Sequence, residues 1–343
     1  MGKGERQKAM SIVTLLKNDE FTDLKYYVKA NTPKKKSFKS NVSDKPFEKL
    51  PMRVEYGEIE PYQARRIGHI ADYMFCLVLA RFVVKGKTEI YESLNWRALQ
   101  LYEGCFKNNQ LRKNHKQIEL HFEEALKITR KFVDNDKIES GEVIQAAYTI
   151  FKMEDYLHYM QFYSGEQFLS NFLQPCDDAV VEQVKQLTYV FEENFIQSGL
   201  VQKNSVIVCH PWFEPWSNKC GGGIADIYID GILYDFKSTK EMGYHWDEVG
   251  QVYAYYLLNC LCKKDFKEDE TVYIDAPLVG MEITGIAIYF SRYGDIEKCE
   301  LSQCGATVSE EDLAYLEKII NKHADDAQEK AMSEIERICN MKR

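Results

Sequence analysis

The chain has no apolar run approaching the roughly 18–20 residues that a membrane-spanning helix needs. The early stretch Ile12 to Leu16 is too short for a signal sequence. No internal repeat and no low-complexity segment is found, which argues against a solenoid or a biased linker protein. A surplus of positive charge is also missing: 44 Lys and Arg stand against 53 Asp and Glu, a net charge of -9. A protein that simply coats a phosphate backbone would be basic, so any contact with nucleic acid has to be local. The ten cysteines are scattered along the chain. Without a signal sequence, they fit reduced thiols in a cytoplasmic protein better than a disulfide framework. Cys260-Leu-Cys262 has the wrong spacing for a zinc pair. Gly221-Gly-Gly223 lacks the Lys-Ser/Thr that would make it a phosphate-binding loop.

What is present is the composition of a globular protein, with 45% hydrophobic and 28% charged residues in 343. That length allows one large domain or two ordinary ones. Three regions differ in texture. Residues 1–60 combine a short helical stretch, Ala9 to Leu16, with a Lys/Ser/Pro-rich loop or arm. Between Lys25 and Arg53 nine basic residues face two acidic ones, with Lys34, Lys35 and Lys36 at the centre. The segment is a candidate phosphate contact or, equally, a solvated arm.

Residues 61–200 read as mostly helical. Ile67, Ile70, Ala71, Met74, Leu77 and Val78 recur at helical spacing, and from about Ile90 to Gln197 further amphipathic stripes follow. Glycine and proline are scarce there, and Pro175 marks a break. Residues 201–343 change to strands. Ser205 to Cys209 is β-branched; Ile224 to Ile229 and Ile232 to Phe236 flank Asp230-Gly231, a dipeptide suited to a tight hairpin. Tyr244 to Cys262 returns to helix. Met281 to Ser291 and Ile296 to Leu301 suggest a second hairpin, and Ser309 to Met341 a closing helix or pair. The expected fold is α/β (α+β): a small mixed sheet flanked by helices, with a large helical elaboration.

The chemistry-bearing residues gather on the first hairpin. Asp235 and Lys237 are two apart, so on a strand they leave the same face, while Tyr234 and Phe236 point into the core. Asp226, on the preceding strand, can approach Asp235 across the short turn. Two hard carboxylates that hold Mg²⁺ or Mn²⁺, with a lysine beside them, are what phosphodiester hydrolysis needs. On the next helix Gln251 and Tyr255 share a face at i, i+4.

Gly223-Ile-Ala-Asp226, Tyr234-Asp-Phe-Lys237 and Gln251-Val-Tyr-Ala-Tyr255, in that order and spacing, resemble the RecB-like branch of the PD-(D/E)xK nuclease superfamily. The resemblance covers about Val206 to Leu258. It implies a restriction-endonuclease-like core and metal-dependent cleavage of DNA, in a prokaryotic or phage setting such as defence or recombination. It also implies that Asp226 and Asp235 are metal ligands, that the Phe236 carbonyl completes the shell and that Lys237 is the catalytic lysine. Gln251 and Tyr255 would orient active-site groups or touch DNA, and Lys240 would lie near the backbone. The family's upstream Gly-x-x-x-His frame appears here as Gly68-His-Ile-Ala-Asp72. Asp72 becomes the candidate third ligand, His69 is displaced by three residues, and Glu182, Glu192 and Glu193 are alternatives. Some RecB-like nucleases carry an iron–sulfur cluster; Cys299, Cys304 and Cys339 are too dispersed to support one. Trp212, Trp216 and Trp246 flank the site as possible base-stacking groups, with core packing the expected role of at least two. The rival reading is a nucleic-acid-binding or adaptor protein that keeps the fold and does not cut. No helicase motif is present, so coupling to unwinding would need another protein subunit.

Overall fold

A computed structural model describes Leu16 and residues 22–57, 59–103, 115–159, 165–268 and 276–341. The helix expected from Ala9 lies outside the described residues except at Leu16. Six strands form one mixed sheet: β1 (Lys39–Ser40), β2 (Ile207–Cys209), β3 (Ile227–Ile229), β4 (Ile232–Lys237), β5 (Gly285–Phe290) and β6 (Asp295–Glu300), in the spatial order β1-β6-β5-β4-β3-β2. All neighbours are antiparallel except β4 and β5, which run parallel.

The β3–β4 hairpin turns at Asp230 and Gly231, with φ of 45° and 92°. Two successive positive φ values match the right-handed twist of the flanking strands, and the Asp-Gly pair tolerates them. Along β4 the side chains alternate. Ile232, Tyr234 and Phe236 enter one core, while Leu233 enters the other. Asp235 and Lys237 share the parity of Leu233.

The first core packs the sheet against the helical region. Its helices are α2 (Pro61–Phe82), α3 (Lys87–Leu101), α4 (His115–Val133), α5 (Ser140–Tyr159), α6 (Gly165–Leu173) and α7 (Asp178–Phe191). Phe75 of α2 stacks on Phe191 of α7 at 4.3 Å and meets Phe236 edge-on at 5.3 Å. Truncating Phe75 to alanine would cost about 3–5 kcal/mol. The opposite face is covered by α1 (Thr22–Asn31), α9 (Trp246–Glu268) and α10 (Glu310–Met341), and α8 (Trp216–Lys219) packs on α9 and α10. Helix α9 is the crossover between the parallel strands β4 and β5, the connection that parallel pairing requires. Gly250 lets α1 sit close on α9: a Cβ there would lie 3.3 Å from Val28.

Most expected elements are found. Several end a few residues from the expected places: β3 starts at Ile227, leaving Asp226 in the bend before it, and β5 starts at Gly285; of the closing helix or pair, the single helix is found. The basic stretch is not a free arm. Its first part is α1, Phe38 and Phe47 are buried in the core, and β1 adds to the sheet beside β6. Its anchor is polar as well as apolar. Ser40 donates to Asp295 at 2.5 Å, and the Phe47 amide donates to Glu297. Among the described residues no helix is long and apolar enough to cross a membrane.

Candidate functional site

The site forms where the carboxyl end of β4 meets the bend before β3, the middle of α2 and the first turns of α9. The bend is held from outside the hairpin: the His210 amide donates to the Asp226 carbonyl at 3.0 Å, and the Ala225 amide to that of Pro211 at 3.0 Å. The Asp226 carboxylate accepts the backbone N–H of Phe236, which draws it toward the neighbouring strand. Asp235, 2% exposed, meets the Lys237 ammonium at 2.6 Å.

Helix α9 stands behind the lysine. Lys237 Nζ donates to Gln251 Oε1 at 3.4 Å, and Gln251 Nε2 donates to the Tyr255 hydroxyl at 3.2 Å. Lysine, amide and phenol thus form one chain, which limits the positions open to the ammonium. Phe213 stacks on Tyr255 at 5.9 Å and fixes the far end.

Asp72 reaches the same site from α2. It borders a cleft together with Asp226, yet its Oδ1 is closed to solvent and has no hydrogen-bond partner among the described residues. Burial raises its pKa well above the carboxylate range, and the charges of Asp226 and Asp235 raise it further. Asp226 is pushed up to about 7, first by burial and then by Asp235, against the Phe236 amide and Lys237. Burial works against the charge of Lys237, but Asp235, Asp226 and Glu248 outweigh it and hold the ammonium above the usual lysine range. Lys237 is therefore a fixed cation at neutral pH.

The structure brings together Asp72, Asp226, Asp235, Lys237, Gln251 and Tyr255. Of the other candidates, His69 and Trp212 line the cleft that Asp72 and Asp226 border, and His69 stacks on Phe151 at 5.1 Å; the remaining ones lie elsewhere. Glu193 pairs with Arg53, Glu182 accepts from Gln186, and Glu192 feels Arg81. Trp216 is core, donating to Asp265 at 2.7 Å, and Trp246 lies under Lys29. Lys34, Lys35 and Lys36 are exposed, with Lys34 capping α1 through the carbonyls of Lys29 and Ala30. Lys240 is exposed, 5.2 Å over the Tyr56 ring.

One member was not read from the sequence. Glu248 lies one turn before Gln251 on α9, and its Oε2 is enclosed without a hydrogen-bond partner among the described residues. Burial raises its pKa; Lys237 opposes the shift and Asp235 adds to it. The signal was there, since 248, 251 and 255 share one helix face.

Among the described residues no three His, Cys, Asp or Glu side chains converge closely enough to form a ready-made metal cage. The donor set is nonetheless that of a hard cation: carboxyl oxygens from three elements, one of them enclosed and unsatisfied. Compared with protein-family models, with curated proteins and with solved structures, the chain matches none.

Proposed function

We propose that the chain is a metal-dependent nuclease that hydrolyses phosphodiester bonds in DNA, built on a PD-(D/E)xK core. One observation carries the reading. Asp72, Asp226 and Asp235 are driven together beside a single lysine, at a cost in burial and like-charge repulsion that raises the pKa of both Asp72 and Asp226. A structural role does not call for that expense, because apolar side chains at these places would fold more stably. A cation removes it.

Asp72, Asp226, Asp235 and the Phe236 carbonyl are the groups that would hold Mg²⁺ or Mn²⁺. The ion supplies Lewis acidity and neutralises charge beside the phosphoryl group. Lys237 contributes a fixed positive charge for the phosphoryl oxygens, where negative charge grows in the transition state. It serves as an electrostatic and water-orienting group, since its ammonium does not give up its proton near pH 7. Gln251 and Tyr255 keep it in place. Glu248, one turn before Gln251, adds a further carboxyl beside Lys237, whose charge opposes the upward shift that burial gives it. Lys34, Lys35, Lys36 and Lys240 are proposed as backbone contacts away from the chemistry.

The test is direct. Purified protein is incubated with linear, circular and single-stranded DNA, with Mn²⁺ and with chelator. Mn²⁺-dependent cleavage supports the reading. Binding without cleavage in any metal would favour a nucleic-acid-binding protein that keeps the fold.

A further inference from the structure

A cleft of about 250 Å³ adjoins the carboxylates and is shared between the helical region and the sheet. Asp72 and Asp226 form its inner end, Arg65 of α2 and Arg97 of α3 line it, and Trp96 and Trp212 make up part of its wall. The two indoles stack on each other at 4.8 Å and 9°. Both arginines are exposed side chains, and guanidinium is the side-chain group best matched to phosphate oxygens. The Trp212 Nε1 is enclosed and meets no acceptor among the described residues.

Size and charge restrict what fits. The volume is just below the range of small-ligand sites, so the cleft takes no more than one nucleotide and is far too small for a duplex. Three carboxyls line the cleft, those of Asp72, Asp226 and Glu154, against two guanidinium groups. His210 also lines the cleft. A divalent ion on the aspartates would add positive charge at the inner end of the cleft and favour an anion there.

We propose that this cleft is the subsite for one nucleotide of a single strand, the one adjoining the scissile phosphate. Arg65 and Arg97 take its phosphate oxygens, and the indole pair stacks against its base. The assignment of that nucleotide rests on the nuclease reading above. It makes the preferred substrate a single strand or a frayed end, because a paired base cannot enter the cleft.

The test is equilibrium binding of thymidine 3′,5′-bisphosphate to the full chain, followed by tryptophan fluorescence, in Ca²⁺ and in chelator. The expected result is saturable binding that is stronger in Ca²⁺ and weakened about tenfold or more by Arg97→Ala and by Trp96→Ala. Trp96→Phe, which keeps a flat ring, should recover most of the loss. Absence of saturable binding in the wild type, or wild-type affinity in both alanine variants, overturns the subsite. Cleavage of long single-stranded DNA in Mn²⁺ is measured in parallel. Bisphosphate binding that depends on Arg97 without any cleavage would retain the subsite and remove the nuclease reading. Cleavage by Arg97→Ala with unchanged KM on single strands would do the reverse.

Discussion

Asp235 and Lys237 leave the same face of β4 and meet as an ion pair, Oδ2 to Nζ at 2.6 Å, with the lysine held from behind by Gln251. A buried pair of this kind rarely adds stability, since desolvation offsets its attraction. Its persistence at a sheet end shared with two further carboxyls is the feature that a metal-assisted reaction explains.

The metal assignment predicts opposite effects on binding and on stability. Asp72→Asn removes a ligand and one of three crowded carboxyls. Mn²⁺ affinity, measured by calorimetry, should fall by more than about tenfold, the lower end of what loss of an outer-shell partner costs. The melting temperature of the metal-free protein should rise at a pH above the raised pKa of Asp72, where the wild-type carboxyl carries its charge beside Asp226 and Asp235. Unchanged Mn²⁺ affinity in both Asp72→Asn and Asp226→Asn would remove these carboxyls from the ligand set.

The raised carboxyl pKa values also fix a pH dependence. Asp226 goes from 3.8 as a free side chain to about 7 in the fold, and Asp72 and Glu248 shift the same way. A group whose pKa is higher in the folded chain binds its proton more tightly there. Its stabilising contribution is complete below the unfolded value and is lost as pH rises through the folded one. Metal-free wild type should therefore lose stability from about pH 4 to about pH 7 relative to Asp226→Asn. Parallel curves of melting temperature against pH for the two proteins would contradict the shift.

Behind the site, Arg292 is fully buried and donates to the Ser238 carbonyl at 2.8 Å, to Val54 at 3.2 Å and to Gln183 Oε1 at 2.7 Å. It ties the residue after Lys237 to α7 and to the segment before α2. Arg292→Leu leaves several buried acceptors unpaired and should cost about 3 kcal/mol in urea unfolding. A change under about 0.5 kcal/mol, the range of ordinary surface substitutions, would show that the tie is idle.

If Lys34, Lys35 and Lys36 touch phosphates, replacing all three with Ala should weaken DNA binding about equally for every sequence. The slope of log K against log salt should flatten by up to about three contacts of 0.9 each. Binding measured in Ca²⁺ across a salt series would show it. Lines of equal slope and height would leave the lysines as solvated groups on the folded segment.

The site was legible where its members are close in sequence. Asp230-Gly231 marks the turn, alternation sets the faces of β4, and helical spacing puts Gln251 beside Tyr255, so local geometry gives the hairpin trio and the helical pair, and the resemblance joins the two. Asp72 was reached only through the resemblance, because no local pattern links α2 to the hairpin. Arg65, Arg97 and His210 were missed for the same reason: only the packing of α2 and α3 against the loop after β2 brings them to one cleft. The basic segment was read as an arm because lysines and prolines dominate it. Its attachment depends on two isolated rings, Phe38 and Phe47, and on Asp295 and Glu297 of β6, whose polar partners Ser40 and the Phe47 amide lie far away in sequence.

The most direct test of the central claim is the single-turnover rate of DNA cleavage in saturating Mn²⁺, for wild type and Lys237→Ala side by side. The expected result is cutting by the wild type and a loss of at least about 100-fold in the variant, with the far-ultraviolet circular dichroism of the two proteins the same. A folded Lys237→Ala protein that cuts at the wild-type rate would contradict the mechanism.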